Sequence, residues 1–309
     1  MIVKIGILGA GAIGCYYGGV LAKEKLDVTF IAKGRTLERL HDHELIVKSI
    51  AGDFSLPVKV RDAENLEEDF SFDYILLAIK STALEAVIPE LSALMGPKTK
   101  VICLLNGIGN EERLAEIFGA DHVIGGSAFI SIIREAPGVV NHVGDGTLVI
   151  GEWQEDSQVN ETLHELKEAL LHSGAEVRIT NHIRQIKWEK LLWNITYNPL
   201  TALTRTRVGE ALADSDLHGL LERISEEFLE VAAKSGIQIG EQYITGLLFP
   251  DEKIQNHKTS MLQDLENGRE MELDAILGFA IQTADRCGAQ VPTIKTIYHL
   301  LRFMERRNQ

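Results

Sequence analysis

Cysteine and long apolar segments are scarce in this sequence of 309 residues. Its three cysteines, Cys15, Cys103 and Cys287, are scattered, odd in number and without a CxxC pair. This usage fits a reducing compartment and predicts no metal site. No apolar run reaches the roughly 20 residues that a membrane span requires, and the N-terminus enters a strand without a basic segment or a cleavable apolar one. We therefore predict a cytoplasmic protein with no membrane partner.

The sequence also has few basic residues. It contains 31 Lys and Arg but 45 Asp and Glu, which gives a formal net charge of −14. Nonspecific nucleic-acid binding needs a positive footprint, so we predict no nucleic-acid partner. Any anionic ligand must be held by a local cluster of donors. With 45% hydrophobic and 25% charged residues, the composition is typical of globular proteins, and the length allows two domains with their own cores.

A glycine-rich turn follows the first predicted strand, residues 2–8. Gly9, Gly11 and Gly14 form G-x-G-x-x-G, and a helix and a second strand over 28–32 close a βαβ unit of about 30 residues. The first glycine makes a tight turn, the second lets a pyrophosphate approach the backbone, and the third allows close helix–strand packing. A purely structural turn is the alternative. The predicted dinucleotide contacts are Gly9, Ala10, Gly11, Ala12, Ile13 and Gly14.

The end of the second strand indicates which dinucleotide is bound. An NAD site usually carries an acid there for the ribose 2′-hydroxyl. Here the strand runs into Lys33 and Arg35 with no acid. Two cations suit a 2′-phosphate, so we predict NADP(H) as the cofactor. The alternative is that both are ordinary surface cations in a loop.

Two further polar residues follow predicted parallel strands. Lys80 follows the strand over 73–79, and Asn106 follows the strand over 100–105. Ligands of open α/β sheets bind beyond the carboxyl ends of the strands, so both are candidate cofactor contacts. A helix cap or a turn is an equally good interpretation of either residue alone.

Residues 124–151 are rich in strand formers and turns, which predicts an antiparallel continuation of the sheet. A helix over 159–172 and a strand over 176–179 follow, and beyond residue 181 the apolar spacing is helical. We predict an α/β fold in which residues 1–181 form a Rossmann-like, doubly wound NADP-binding domain. Residues 182–309 are predicted to form an all-helical substrate-binding and catalytic domain.

The first helix of that second domain, over 181–203, carries one narrow polar stripe. Lys190, Asn194 and Asn198 fall within a sector roughly 80° wide, and most of the remaining circumference is apolar. A helix that is apolar almost all round is predicted to be buried. Its polar stripe must then face solvent or a wet cavity. An ordinary solvated helix face is the alternative interpretation.

A second candidate segment spans residues 260–274. Its Glu272 shares a predicted helix face with Ile276 and Phe279. An acid on an apolar flank is typical of a buried, functionally paired carboxylate. A charged residue at the rim of a helix is the alternative.

Together these segments resemble the ketopantoate reductase (2-dehydropantoate 2-reductase) family over essentially the whole chain. The most specific motifs are NPLTA at 198–202 and SMLQD at 260–264. The other residues that carry the resemblance are GAGAIG at 9–14, Ile79-Lys80, LNGIG at 105–109, KWEK at 187–190, Asn194 and Glu272. The resemblance implies NADPH-dependent reduction of 2-dehydropantoate to (R)-pantoate, a step toward pantothenate and coenzyme A.

The resemblance also implies roles for individual residues. Lys190 matches the proton donor of the family, and Glu272 matches a glutamate near both the lysine and the cofactor. Lys33 stands where a basic residue meets the 2′-phosphate, and Lys80 matches a cofactor-side lysine. The positions that match substrate contacts are Asn106 (also near the nicotinamide ribose), Asn194, Asn198 and Ser260.

One position departs from the family pattern, because Val208 precedes Gly209-Glu210 where some members have a substrate-binding asparagine. A lost hydrogen bond changes selectivity more than reactivity. This leaves open an NADP-dependent reductase of another branched 2-oxo acid. A non-catalytic or redox-sensing NADP-binding protein is a further alternative, and the protein is expected to be a monomer or a homodimer.

Overall fold

The computed structural model describes residues 3–66, 72–154, 161–172, 176–250 and 252–308. Its contacts group into two compact units. The first comprises Met1–Leu105 and Asn110–Arg184, and the second comprises Asn106–Gly109 and Gln185–Gln309. The division of the sequence into domains at residue 181 stays a prediction.

Within its described residues, the first unit contains one ten-stranded sheet of order β4-β3-β9-β8-β7-β6-β1-β2-β5, with β10 beside β9. β1 pairs in parallel with β2 and β6, and β7 joins β6 to β8 in parallel. The strands are β1 (Lys4–Leu8), β2 (Asp27–Ala32), β3 (Leu45–Ser49), β4 (Phe54–Leu56), β5 (Lys59–Asp62), β6 (Tyr74–Leu77), β7 (Lys100–Cys103), β8 (Val123–Ala136), β9 (Val139–Glu152) and β10 (Val177–Ile179).

The central strands β1 and β6 are buried along most of their length because both of their faces are covered. All four residues of β6 are buried, as are four of the five residues of β1. This is the pattern of parallel strands covered on both sides. Ile2, the first residue of the predicted strand 2–8, lies outside the described residues.

The predicted antiparallel continuation of the sheet is confirmed. β8 and β9 pair from Ile124↔Glu152 to Ala136↔Val139, with three register irregularities. The first half of β9 also pairs in parallel with β3, and its second half with β10. The long hairpin therefore joins strands that come from distant parts of the sequence.

Five α-helices of the first unit lie in its described residues. They are α1 (Ala12–Lys23), α2 (Gly34–Asp42), α3 (Leu84–Leu94), α4 (Asn110–Phe118) and α5 (Glu161–His172). Sequence periodicity did not reveal α2, because Leu40 is its one buried residue. Residues 159 and 160 of the predicted helix 159–172 lie outside the described part of the chain.

The described residues of the second unit are helical and contain no strand, which confirms the predicted fold class. The sequence did not predict the short helices at Val208–Ala213 and Glu252–Gln255 or the π-helical turn at Asp274–Gly278. The α-helices are α6 (Ile183–Thr204), α7 (Val208–Ala213), α8 (Ser215–Lys234), α9 (Glu241–Leu248), α10 (Glu252–Gln255), α11 (Ser260–Glu266), α12 (Phe279–Cys287) and α13 (Pro292–Asn308). None of the helices traced in the described chain is long and apolar enough to cross a membrane.

Helix α6 lies in the core of the second unit, as its almost uniformly apolar surface predicts. It begins at Ile183, two residues after Asn181, and continues past Pro199 to Thr204. Trp188 stacks on Phe228 with ring centroids 5.6 Å apart and meets the Phe279 ring edge-on. Burial of such large rings fixes which way the polar stripe of α6 faces.

Candidate functional site

In the first unit, the glycine turn has the geometry that its three glycines predict. Gly9 has φ +106°, and a Cβ there would lie 2.7 Å from the carbonyl group of Ala78. A Cβ on Gly14 would lie 2.0 Å from the backbone oxygen of Gly9. The first glycine therefore makes a left-handed turn against the end of β6, and the third lets α1 pack directly on that turn.

Gly11 differs from its two neighbours in the motif. A Cβ there would meet protein only at 3.9 Å, at the Ala78 oxygen. Its backbone, with φ −82° and ψ −161°, is open to any residue, and it precedes α1 without a side-chain capping bond. Packing therefore does not require glycine at this position. Space beside the backbone and exposed N–H groups at the start of α1 fit the pyrophosphate of a dinucleotide.

The predicted cationic residues lie near the same edge of the sheet. Lys33 directly precedes α2 and forms a 3.4 Å ion pair with Glu90, and Arg35 is exposed in the first turn of α2. The loop interpretation of Arg35 is wrong, because the helix begins at Gly34. Lys80 is half-buried and lies three residues beyond β6, beside the strand that leads into Gly9.

In the second unit, the polar stripe of α6 is largely buried. Asn194, Asn198, Lys187 and Thr201 are all at most 8% exposed, and Lys190 is half-buried. The interpretation of this stripe as an ordinary solvated helix face is therefore wrong. Burying amides and amines is costly unless they are hydrogen-bonded, so the stripe must have partners or a ligand.

A chain of two hydrogen bonds links Lys190 to Glu272 through Asn106. Lys190 Nζ donates to Asn106 Oδ1 at 3.1 Å, and Asn106 Nδ2 donates to Glu272 Oε2 at 2.9 Å. Glu272 is buried at 8% exposure, so it is not a charged rim residue. An ionised carboxylate only accepts hydrogen bonds. Glu272 therefore fixes the amide orientation of Asn106 and turns its carbonyl oxygen toward the amine of Lys190.

Asn106 and Glu272 are brought together by close backbone packing within the second unit. Gly107 has φ +84°, and a Cβ on it would lie 2.4 Å from the backbone oxygen of Ala275. Ala275 lies in the π-helical turn that directly follows Glu272 and Leu273. Such wide turns are frequent at functional sites. The sequence gives no signal for this π-turn, because apolar spacing does not separate it from an α-helix.

The remaining polar residues of the α6 stripe differ in how fully their side chains are hydrogen-bonded. Asn194 is 8% exposed, and its side-chain amide makes no hydrogen bond to the described part of the chain. Asn198 Nδ2 reaches the Oγ atom of the exposed Ser260 only at 3.5 Å. Deeper along the stripe, Thr201 and Thr259 share a buried 2.8 Å hydrogen bond. The two asparagines therefore retain the capacity to bind a polar ligand.

Val208 lies in the core of the second unit. Its side chain is fully buried, and its backbone N–H donates to the His257 carbonyl. A branched apolar side chain at this position offers no hydrogen bond to a ligand.

Comparison with known proteins gives matches over both halves of the chain. Residues 5–155 match the family model described as ketopantoate reductase PanE/ApbA, and residues 182–305 match the model for the C-terminal part of the same family. A 2-dehydropantoate 2-reductase from Nostoc sp. is 30% identical over 309 residues, which cover 99% of this chain and 96% of the relative.

The fold of this chain is similar to solved structures over nearly its whole length. The crystal structure of a 2-dehydropantoate 2-reductase from Geobacter metallireducens has a TM-score of 0.91 and 34% identity, covering 97% of this chain and 99% of its own. A D-mandelate dehydrogenase in complex with NADH has a TM-score of 0.89 and 25% identity, covering 99% of this chain and 100% of its own.

Proposed function

Because this chain belongs to the ketopantoate reductase family of oxidoreductases, we propose that it reduces 2-dehydropantoate to (R)-pantoate with NADPH, a step toward pantothenate and coenzyme A. The observation that carries this proposal is the hydrogen-bonded chain Lys190–Asn106–Glu272, which holds an amine against a fixed amide carbonyl. The relatives named 2-dehydropantoate 2-reductase support the choice of substrate.

The first unit holds the cofactor in this proposal. Backbone N–H groups at the start of α1, next to Gly11, bind the pyrophosphate, and Lys33 and Arg35 meet the 2′-phosphate. Glu90 already pairs with Lys33, but ion pairs with exposed partners contribute only about 0–1 kcal/mol. A phosphate dianion can therefore displace it. The chemistry that a nicotinamide would supply, when bound there, is a hydride for the C2 carbonyl carbon.

The second unit supplies the proton and orients the substrate. When C2 gains a hydride, negative charge develops on its oxygen, and the ammonium of Lys190 stabilises that charge and donates a proton to it. The product is then the C2 alcohol, and Lys190 is left as a neutral amine. Glu272 favours the ammonium form through Asn106 before each turnover. Asn194, Asn198 and Ser260 provide neutral donors for the carboxylate and hydroxyl groups of the substrate.

A single assay series tests the substrate and the cofactor. We expect the absorbance of NADPH to fall with 2-dehydropantoate, more slowly with 2-oxoisovalerate, and not at all without an oxo acid. We expect NADH to support a lower kcat/KM than NADPH. Faster turnover with NADH would contradict the choice of NADPH, and both cofactors are compared because the similar D-mandelate dehydrogenase was solved in complex with NADH.

The valine at position 208, where some members of the family have a substrate-binding asparagine, favours a second candidate function, the reduction of another branched 2-oxo acid. A substrate without a terminal hydroxyl does not need the hydrogen bond that such an asparagine would supply. In the same assay, a kcat/KM for 2-oxoisovalerate above that for 2-dehydropantoate would select this function. No oxidation with any oxo acid would instead identify a non-catalytic NADP-binding protein.

Replacing Glu272 by glutamine tests the role assigned to its charge. We expect kcat to fall about 10- to 100-fold, because a hydrogen bond to a charged group contributes about 1.5–3 kcal/mol. The alkaline limb of the pH–rate profile should also move to lower pH, since loss of the carboxylate charge disfavours the ammonium of Lys190. Glu270→Gln, an exposed neighbour in the same segment, is the matched control. An unchanged pH profile would limit Glu272 to a structural role.

A further inference from the structure

An arginine from the long hairpin reaches the first turn of α2. Arg134, in β8, donates from Nη2 to Thr36 Oγ1 at 2.8 Å. Thr36 is the third residue of α2, which begins directly after Lys33. The hairpin packs against the same helix, because a Cβ on Gly138 would lie 3.1 Å from the Leu40 side chain. The tertiary structure thus adds a third cation beside Lys33 and Arg35.

The charge of Arg134 also acts on the start of α1. Burial raises the pKa of the Cys15 thiol to about 12, and the positive charge of Arg134 opposes that rise. Cys15 lies in the first turn of α1 and donates to the backbone oxygen of Ala10, within the glycine turn. Arg134 is therefore within hydrogen-bonding distance of α2 and within electrostatic range of α1.

The two cations that follow β2 are less well suited to bind a phosphate. Lys33 is mostly exposed and already pairs with Glu90, and Arg35 is exposed. Arg134 is half-buried, and Thr36 fixes one end of its guanidinium. A guanidinium has five N–H donors and binds phosphate oxygens in a planar, bidentate manner. A fixed guanidinium also loses less side-chain entropy on binding than an exposed lysine does.

We infer that Arg134 binds the 2′-phosphate of NADPH and makes the protein discriminate NADPH from NADH, with Thr36 as the residue that positions it. This inference rests on the proposed function, which names NADPH as the cofactor. It adds a specificity-determining residue that the sequence motif around β2 does not contain.

Equilibrium binding in the absence of substrate tests the inference. We expect Arg134→Gln to raise the Kd for NADPH about 10- to 100-fold, the loss of one charge-assisted contact, and to leave the Kd for NADH within about twofold. Titration with ligands that lack a nicotinamide should give the same result: Arg134→Gln should raise the Kd for 2′,5′-ADP and leave the Kd for 5′-ADP nearly unchanged. Arg113→Gln removes an exposed arginine of α4 that pairs with Glu85 and serves as the control.

Two milder variants test how Arg134 is held. Thr36→Val keeps the side-chain shape but removes the acceptor for Arg134. The Kd for NADPH should therefore rise several-fold, and the Kd for NADH should not change. Arg134→Lys keeps the charge and should retain part of the NADPH preference. These two variants decide the question if Arg134→Gln does not fold.

The outcomes separate this inference from the proposal on which it rests. Equal loss of NADPH and NADH binding in the variants would make Arg134 a structural contact and overturn the inference. Full retention of the NADPH preference would overturn it as well. A wild-type protein that does not prefer NADPH would overturn the cofactor proposal itself, before any variant is compared.

Discussion

Replacing Lys190 with alanine is expected to lower kcat for 2-oxo acid reduction by about 10²- to 10⁴-fold, the usual contribution of a positioned general acid. The physical reason is that charge on the C2 oxygen would then have no ammonium to stabilise it and no adjacent proton. Asn106 would lose its Lys190 donor but would keep its hydrogen bond to Glu272, so the local structure should persist. Steady-state kinetics at saturating NADPH measure this effect.

Binding and stability measurements give this prediction its controls. The Kd for NADPH should stay within about twofold and the Tm within a few degrees, because the lysine is only half-buried and the buried Glu272 keeps the hydrogen bond from Asn106. Lys295→Ala removes a lysine of α13 that is likewise half-buried and pairs with Asp285, and it should retain full activity. If Lys190→Ala turned over at the wild-type rate, another group would have to supply the proton.

The second large effect is expected at the glycine turn, where two alanine substitutions should act in opposite ways. Gly11→Ala should leave the Tm of the cofactor-free protein unchanged, because its Cβ would meet only the Ala78 oxygen at 3.9 Å and its backbone angles suit alanine. The same methyl group would lie where we place the pyrophosphate. Displacing two charge-assisted hydrogen bonds should raise the Kd for NADPH about 100-fold or more.

Gly14→Ala should instead destabilise the protein before any cofactor binds. Its Cβ would lie 2.0 Å from the backbone oxygen of Gly9, and a backbone atom cannot move away as a flexible side chain can. Overpacking of this kind costs about 1–3 kcal/mol. For a chain of this size that lowers the Tm by about 3–10 °C in a thermal melt. A Gly11→Ala protein with a lower Tm and intact NADPH binding would show that Gly11 serves packing alone.

The sequence predicted the features that depend on local pattern. Periodic apolar residues indicated the buried helix α6, and the strand–glycine–helix order indicated the turn at Gly9. In both cases the relevant neighbours are close in sequence, so spacing determines which side chains share a face. The short helix α2 escaped detection because its single buried residue gives no periodic signal.

Contacts between distant segments could not be predicted in this way. Lys190 and Asn106 are 84 residues apart, and Asn106 and Glu272 are 166 residues apart. The sequence marked all three as candidates, but it did not show that the amide lies between the two charges. That arrangement depends on the close approach of Gly107 to the π-helical turn. Arg134 had no signal at all, because its neighbour Thr36 is 98 residues away.

The sequence by itself determined the α/β class, the glycine turn and the burial of α6, because each follows from residue spacing along one or two elements. Only the tertiary structure decided which buried groups are partners: Glu272 meets Asn106, and a hairpin arginine meets the start of α2. The physical reason is that hydrogen bonds and ion pairs depend on distances of a few ångströms between segments far apart in the chain. Those distances are set by the packing of backbones and not by the local pattern.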